Sequence, residues 1–186
     1  MLGGEENDAV DNKKNDRNGM APFEWLTNFG SVSHLMPHPR RDEEDHEDLW
    51  KALHVGCGTS TLGEQLLSDL GYDRVVNIDC NEESLDFLRR RQLSQTTKNT
   101  TTAGTQTFVT MDFCQRGENQ NDAGAVGTGS FDLVVDKSTL DCALCSEHAA
   151  TGLFFHSYRA LRPNGGVYLL ISFNHVDFIQ PLLEGL

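Results

Sequence analysis

The stretch Leu53–Leu66, LHVGCGTSTLGEQL, decides the fold. A short apolar run reaches Gly56-Cys57-Gly58 and passes directly into a helical pattern. A strand, a glycine turn and a helix in that order serve dinucleotide, nucleoside and phosphate sites alike, so the ligand has to be read from the spacing. A dinucleotide fingerprint, G-x-G-x-x-G, needs its third glycine where the helix packs against the strand beside a pyrophosphate. Here Gly56 and Gly58 take the first two places, Thr61 takes the third, and Gly63 comes two residues late. The Gly-Lys-Ser/Thr ending of a phosphate-binding Walker loop is absent. The turn permits close backbone approach without a pyrophosphate cradle, which favours a nucleoside that lacks phosphates.

Outward from this turn the order is regular. KALHVG reads as a strand, and a helix follows from Thr59 or Ser60 to about Leu70, with Gly71 placed to end it. RVVNID is a second strand and NEESLDFLRRRQL a second helix, capped by Asn81 or Ser84. TQTFVTMD, FDLVVD and GVYLLISF are three more strands. SEHAATGLFFHSYRAL is a helix between the last two, and HVDFIQPLLEGL starts another. Alternating strands and helices predict a parallel α/β sheet, and the continuous apolar runs HVG, VVNI, LVV and YLLI predict strands covered on both faces. Upstream, APFEWLTNFGSVSHLM carries Phe23, Trp25, Leu26 and Phe29 near helical spacing and predicts a short helix. Residues 1–20 are expected to be a disordered polar segment, and so are the loops 95–105 and 116–129. Residues 21–186 form the expected domain.

The composition narrows the partners. A net charge of −13 with no basic stripe speaks against nucleic acid. The same charge suits a basic protein substrate through steering, and serves solubility equally. No apolar run approaches the ~20 residues of a membrane span, and the N-terminus is unlike a secretory signal. The cytosol is the expected compartment, with the nucleus the other that fits. The five cysteines read as free thiols, and Cys142-x-x-Cys145 lacks the second pair a zinc site needs, so no metal is expected.

Three carboxylates end predicted strands, at the edge where parallel sheets bind ligands. Asp79 ends the second strand, placed to accept from both hydroxyls of a ribose; Asp112 ends the third, within reach of an adenine amino group; Asp136 ends the fourth. With the glycine turn they point to S-adenosylmethionine.

These residues carry a resemblance. The stretches 54–88 and 131–147 resemble class I S-adenosylmethionine-dependent methyltransferases, a doubly wound, Rossmann-like fold. More narrowly they resemble the branch that includes lysine methyltransferases of elongation factor 1-alpha. The shared marks are Gly-Cys-Gly-Thr-Ser at 56–60, Asn-Ile-Asp at 77–79, Asp-Lys-Ser-Thr-Leu-Asp at 136–141, Arg-Pro-Asn-Gly-Gly at 162–166 and Pro-Phe-Glu-Trp-Leu at 22–26. The resemblance implies that Gly56 and Gly58 underlie the methionine part of the cofactor. It places Asp79 and Cys80 at the ribose, Asp112 and Phe113 at the adenine, and Trp25 and Lys137 around the amino acid and sulfonium. It implies methylation of a lysine in a protein, a basic and translation-related one, with Asp136 the catalytic candidate that orients the amine. A small-molecule methyltransferase and a non-catalytic cofactor-binding fragment are the alternatives. A Tyr-Trp-Asp-x-x-Tyr stretch usual upstream in this group is missing. Two further strands usual after the fifth are missing as well, so the sequence is expected to be truncated there, with an apolar edge free to self-associate.

Overall fold

The computed structural model describes residues 20–39, 49–96, 104–115 and 126–184. The N-terminal segment 1–19 and the cores of the two loops expected to be disordered, 97–103 and 116–125, lie outside the described residues. Five strands form one parallel sheet: β1 Lys51–Val55, β2 Arg74–Asp79, β3 Thr105–Thr110, β4 Leu133–Lys137 and β5 Val167–Ile171, in the order β3-β2-β1-β4-β5. The order reverses direction at β1, so the crevice between the carboxyl ends of β1 and β4 is the switch point where such sheets bind ligands. The expected doubly wound α/β fold is present.

Side chains alternate between the two faces. Leu53, Val55, Val76, Ile78 and Val134 face one way, into a core closed by α4 (Thr139–Ala143) and α5 (Glu147–Ala160) through Leu140, Leu153 and Phe154. Ala52, Val75, Leu133 and Val135 face the other, under α1 (Phe29–Val32) and α2 (Leu62–Ser68) through Phe29, Leu62 and Leu66. Helix α3 (Glu82–Thr96) packs with Leu85, Phe87 and Leu88 against Cys57 and Phe108. Helix α6 (Val176–Glu184) reaches the first core through Ile179.

The sequence expectations hold for the central strands, β4 being buried throughout. They fail for β5, where every residue is half-buried. It is an edge, and its apolar run is only partly covered. The segment before β1 also differs. Residues 20–28 form no helix; the helix spans only Phe29–Val32, capped by the Asn28 side chain accepting from Ser31 N, and a 3-10 turn follows at Ser33–Leu35. The α2 helix is shorter than expected, and Gly71 at φ 77° follows it in the left-handed region.

Two glycines set close approaches. A Cβ on Gly63 would stand 2.5 Å from Asn77 Oδ1, so α2 lies tight on β2 there. A Cβ on Gly152 would stand 1.9 Å from the Cys114 carbonyl, so α5 presses against the turn after β3. Because the obstacle is backbone, Gly152→Ala should destabilise the fold despite the better helix propensity of alanine. A loss of about 1–3 kcal/mol is expected for overpacking of this kind, read as a lower urea midpoint at unchanged slope.

Candidate active site

A cavity of about 480 Å³ opens at the carboxyl ends of the strands. It is within the size range of small-molecule sites. Seven of the nine expected site residues line it: Trp25, Gly56, Asp79, Cys80, Asp112, Phe113 and Lys137. Gly58 and Asp136 do not.

The glycine turn is built by β1 handing over to α2. Gly56 and Gly58 have φ of 60° and 52°, the left-handed region that side chains disfavour. Gly56 is further required because a Cβ there would come within 2.1 Å of Thr139 Oγ1, whose hydroxyl donates to the Val55 carbonyl at 2.8 Å. At Gly58 a Cβ would meet nothing within 4 Å. Gly58 N donates to Asp79 Oδ2 at 2.7 Å, and Asn81 N donates to Asp79 Oδ1 at 2.8 Å. The Asp79 carboxylate is thereby aimed at the cavity rim by two backbone donors. Each oxygen keeps a further acceptor direction. Asp112 is exposed and accepts from Cys114 N at 3.0 Å, a turn that holds Phe113 inward. Phe113 is buried and meets the His156 ring edge-on at 5.8 Å.

Asp136 is fully buried. Its Oδ1 accepts from Thr139 N at 2.8 Å and Leu140 N at 3.2 Å, and its Oδ2 accepts from the Tyr168 hydroxyl at 2.8 Å. Burial pushes its carboxyl up to about 6, against the pull of those three donors. The structure therefore places Asp136 behind the cavity wall, where it ties β4 to α4 and β5. Ser138, two residues on, has a left-handed φ of 70° and lines the cavity.

The residue that sequence reasoning missed is Glu24. Its Oε1 accepts from Thr61 N at 2.7 Å and from Thr61 Oγ1 at 3.0 Å, and its Oε2 accepts from Ser60 Oγ at 2.8 Å. The Lys137 ammonium pairs with the same carboxylate and reaches Ser60 Oγ at 3.3 Å; the Lys137 side chain is only 5% exposed. The signal in the sequence is the acid between two aromatic residues in Phe23-Glu24-Trp25. Where a dinucleotide fold receives a pyrophosphate, this chain places its own carboxylate. Trp25, next to Glu24, is left half exposed at the cavity, 5.7 Å from the Phe23 ring.

Residues 52–165 match the methyltransferase domain family. The chain belongs to that family. It is 32% identical over 170 residues to the human eEF1A lysine and N-terminal methyltransferase, covering 87% of this chain and 21% of that protein. The bovine protein of the same name is 32% identical over 162 residues, 83% of this chain and 20% of its own length. The citrate synthase-lysine N-methyltransferase of Danio rerio is 28% identical over 148 residues, 77% of this chain and 56% of that protein. The chain thus spans about a fifth of the eEF1A-directed relatives. Among solved structures, the PH0226 protein of Pyrococcus horikoshii superposes with a TM-score of 0.55 at 17% identity, covering 85% of this chain and 62% of that one. A Haemonchus contortus phosphoethanolamine N-methyltransferase 1, solved with phosphoethanolamine and S-adenosylhomocysteine, gives 0.52 at 15% identity, covering 73% and 23%. These likenesses bear out the resemblance to S-adenosylmethionine-dependent methyltransferases, the fold and the expected cofactor.

Glu24 sets a pH dependence. Burial pushes its carboxyl up, but Lys137, Thr61 N and Ser60 together hold it below its ordinary 4.5. A carboxyl lowered in the folded state stabilises above the unfolded value, and that stability is lost as pH falls through the folded one. Glu24→Gln should therefore cost most near neutrality, toward the lower end of the roughly 3–5 kcal/mol of a broken buried pair. The cost should shrink below pH 4.5, as chemical denaturation across pH would show.

Proposed function

We propose that this chain is an S-adenosylmethionine-dependent methyltransferase acting on a lysine of a protein. The observation that carries the cofactor half is Glu24, which fills the anion seat beside the glycine turn while the cavity beyond stays open. The residues fit a nucleoside without phosphates: Gly58 leaves room at the turn, Asp79 presents acceptors at the rim, and Ile78, Met111 and Phe113 give an apolar wall for a flat ring. In this reading Asp79 with Cys80 holds the ribose, and Asp112 with Phe113 the adenine. Gly56, Gly58, Trp25 and Lys137 surround the amino-acid end. The bound cofactor supplies an electrophilic methyl group on a sulfonium centre.

The protein's own part is positioning. Asp136 is a positioning residue here, fixing the 137–140 turn through its bonds to Thr139, Leu140 and Tyr168. Lys137 is consumed by Glu24, so its charge repels little of what enters. A substrate lysine is a cation with a free pKa near ~10.4 and must shed a proton before it attacks. The exposed rings of Phe23 and Trp25 at the rim suit the passage of such a cation. Support for a protein lysine comes from the names of the relatives and from the net charge of −13, which attracts basic partners. A basic, translation-related substrate in the cytoplasm is the specific form of this reading.

Incubating the chain with tritiated cofactor and recombinant eEF1A, followed by peptide mass spectrometry, tests it. Methylated lysine is expected; label confined to small molecules would favour the small-molecule alternative. In calorimetry the chain should bind S-adenosylhomocysteine and ignore NAD. Asp79→Ala should weaken binding by about 1.5–3 kcal/mol, the range for a hydrogen bond to a charged group.

The partner reading extends to β5. Its outer edge has no strand partner among the described residues, and Phe173, Val176 and Phe178 beside it are exposed. An uncovered apolar edge favours association of two copies. Sedimentation should show concentration-dependent association that Phe178→Glu reduces; a monomer at all concentrations would refute it.

A further inference from the structure

A second cavity, of about 200 Å³, lies at the opposite rim of the sheet, where the strands begin. Lys51, Arg74 and Thr105 open β1, β2 and β3. Lys51 is the register partner of Arg74, and Arg74 of Thr105, so the three side chains leave one face in a single row. All three line the cavity, Val76 and Thr107 follow in the next row, and Phe131 completes the wall. The two cations therefore stand on neighbouring strands, whose axes are about 4.8 Å apart. Like charges side by side on a sheet cost stability unless an anion lies between them.

The described residues supply no such anion. Arg89 pairs with Glu82 and Asp86, Arg91 with Glu64, Lys137 with Glu24 and Arg162 with Asp132, but Lys51 and Arg74 have no carboxylate within ion-pair distance among the described residues. The acids that flank the row are turned to the main chain: Asp73 Oδ2 accepts from Trp50 N at 2.9 Å, and Asp132 Oδ2 from Lys51 N at 2.8 Å. With 28 acidic against 15 basic residues in the chain, carboxylates are not scarce; they are held away from this row.

We propose that the row is a binding site for a phosphate group, carried by a small molecule or free in solution. The planar guanidinium of Arg74 suits two parallel hydrogen bonds to phosphate oxygens, and Lys51 adds a compact charge beside it. The Thr105 and Thr107 hydroxyls add donors, whereas Ser130, also on the wall, donates its own to the Thr128 carbonyl at 3.1 Å. The volume sets the class of ligand. It lies below the roughly 300–1,000 Å³ of sites that enclose a drug-sized molecule, so a phosphate and a few further atoms fit while a nucleoside stays outside. A net charge of −13 repels anions at long range, so retention here comes from the two local cations. The row exists only when β1, β2 and β3 are paired, and an anion that bridges it stabilises the folded sheet. The site is independent of the methyl donor and of the cavity at the carboxyl ends.

Inorganic phosphate and glycerol phosphate are the two probes, each titrated against the whole chain by phosphorus NMR at fixed pH, with ionic strength held constant by sodium chloride. Saturable binding is expected. Arg74→Gln and Lys51→Gln should each weaken it by about tenfold or more, while Arg90→Gln, a cation on α3, should leave it unchanged. Tighter binding of glycerol phosphate would make a phosphorylated small molecule the ligand, and equal affinities would make it the free ion; either supports the site. Urea unfolding gives a second readout. In chloride both row variants should keep at least the wild-type midpoint, because each removes a like-charge neighbour. Phosphate should raise the midpoint of the wild type and not that of the variants. No saturable binding, binding that survives in both row variants, or an equal rise of all midpoints, as a general salt effect gives, would overturn the proposal. So would both row variants unfolding more readily than the wild type in chloride, since the two cations would then be satisfied within the protein.

Discussion

One carboxylate holds three parts of the molecule together. Glu24, on the segment before β1, accepts from Ser60 and Thr61 at the start of α2 and pairs with Lys137 at the end of β4. The glycine turn, the first helix of the sheet and the cavity wall are thus referenced to one point. A buried ion pair contributes modestly to stability once desolvation is counted, but it is costly to break and it fixes geometry. Its charge also decides chemistry. The backbone donors and the lysine that could have received a phosphate are already satisfied, and a ligand must find its affinity in the apolar wall and the rim carboxylates.

That interaction explains where the sequence was legible and where it was not. The sheet could be read because its strands obey local rules: runs of β-branched and aliphatic residues, broken by turns at 56–58, 71 and 163–166. The segment 22–26 could not. Phe23, Leu26 and Phe29 have helical spacing, but Glu24 is drawn to Ser60 and Thr61, more than thirty residues away, and the chain there does not coil. Tertiary contact overrode the periodic pattern.

The carboxylates at the strand ends make the same point. Asp79, Asp112 and Asp136 look equivalent in sequence. Two of them open on the cavity, while Asp136 is sealed by Tyr168, which belongs to the next strand. Nothing near residue 136 announces that partner. Gly63 shows the reverse case. It stands two places too late for a dinucleotide fingerprint, yet it performs the packing that the third glycine performs there, because α2 meets β2 at Asn77. Spacing rules carry the backbone requirement only when the helix begins at the usual residue.

The strand order has a consequence for how the chain assembles. The central strand β1 has β2 on one side, about twenty residues on, and β4 on the other. The latch between them joins Lys51 N to Asp132 Oδ2, 81 residues apart in the chain. At a synthesis rate of about 5–20 residues per second, one edge of β1 waits roughly 4–16 s for its neighbour. Contacts of such long range also close slowly once both partners exist. Lys137 ends β4, so the Glu24 anchor forms only after that wait. The centre of the sheet and the mouth of the cavity are therefore completed late and together, and until then an apolar strand edge is open to other chains.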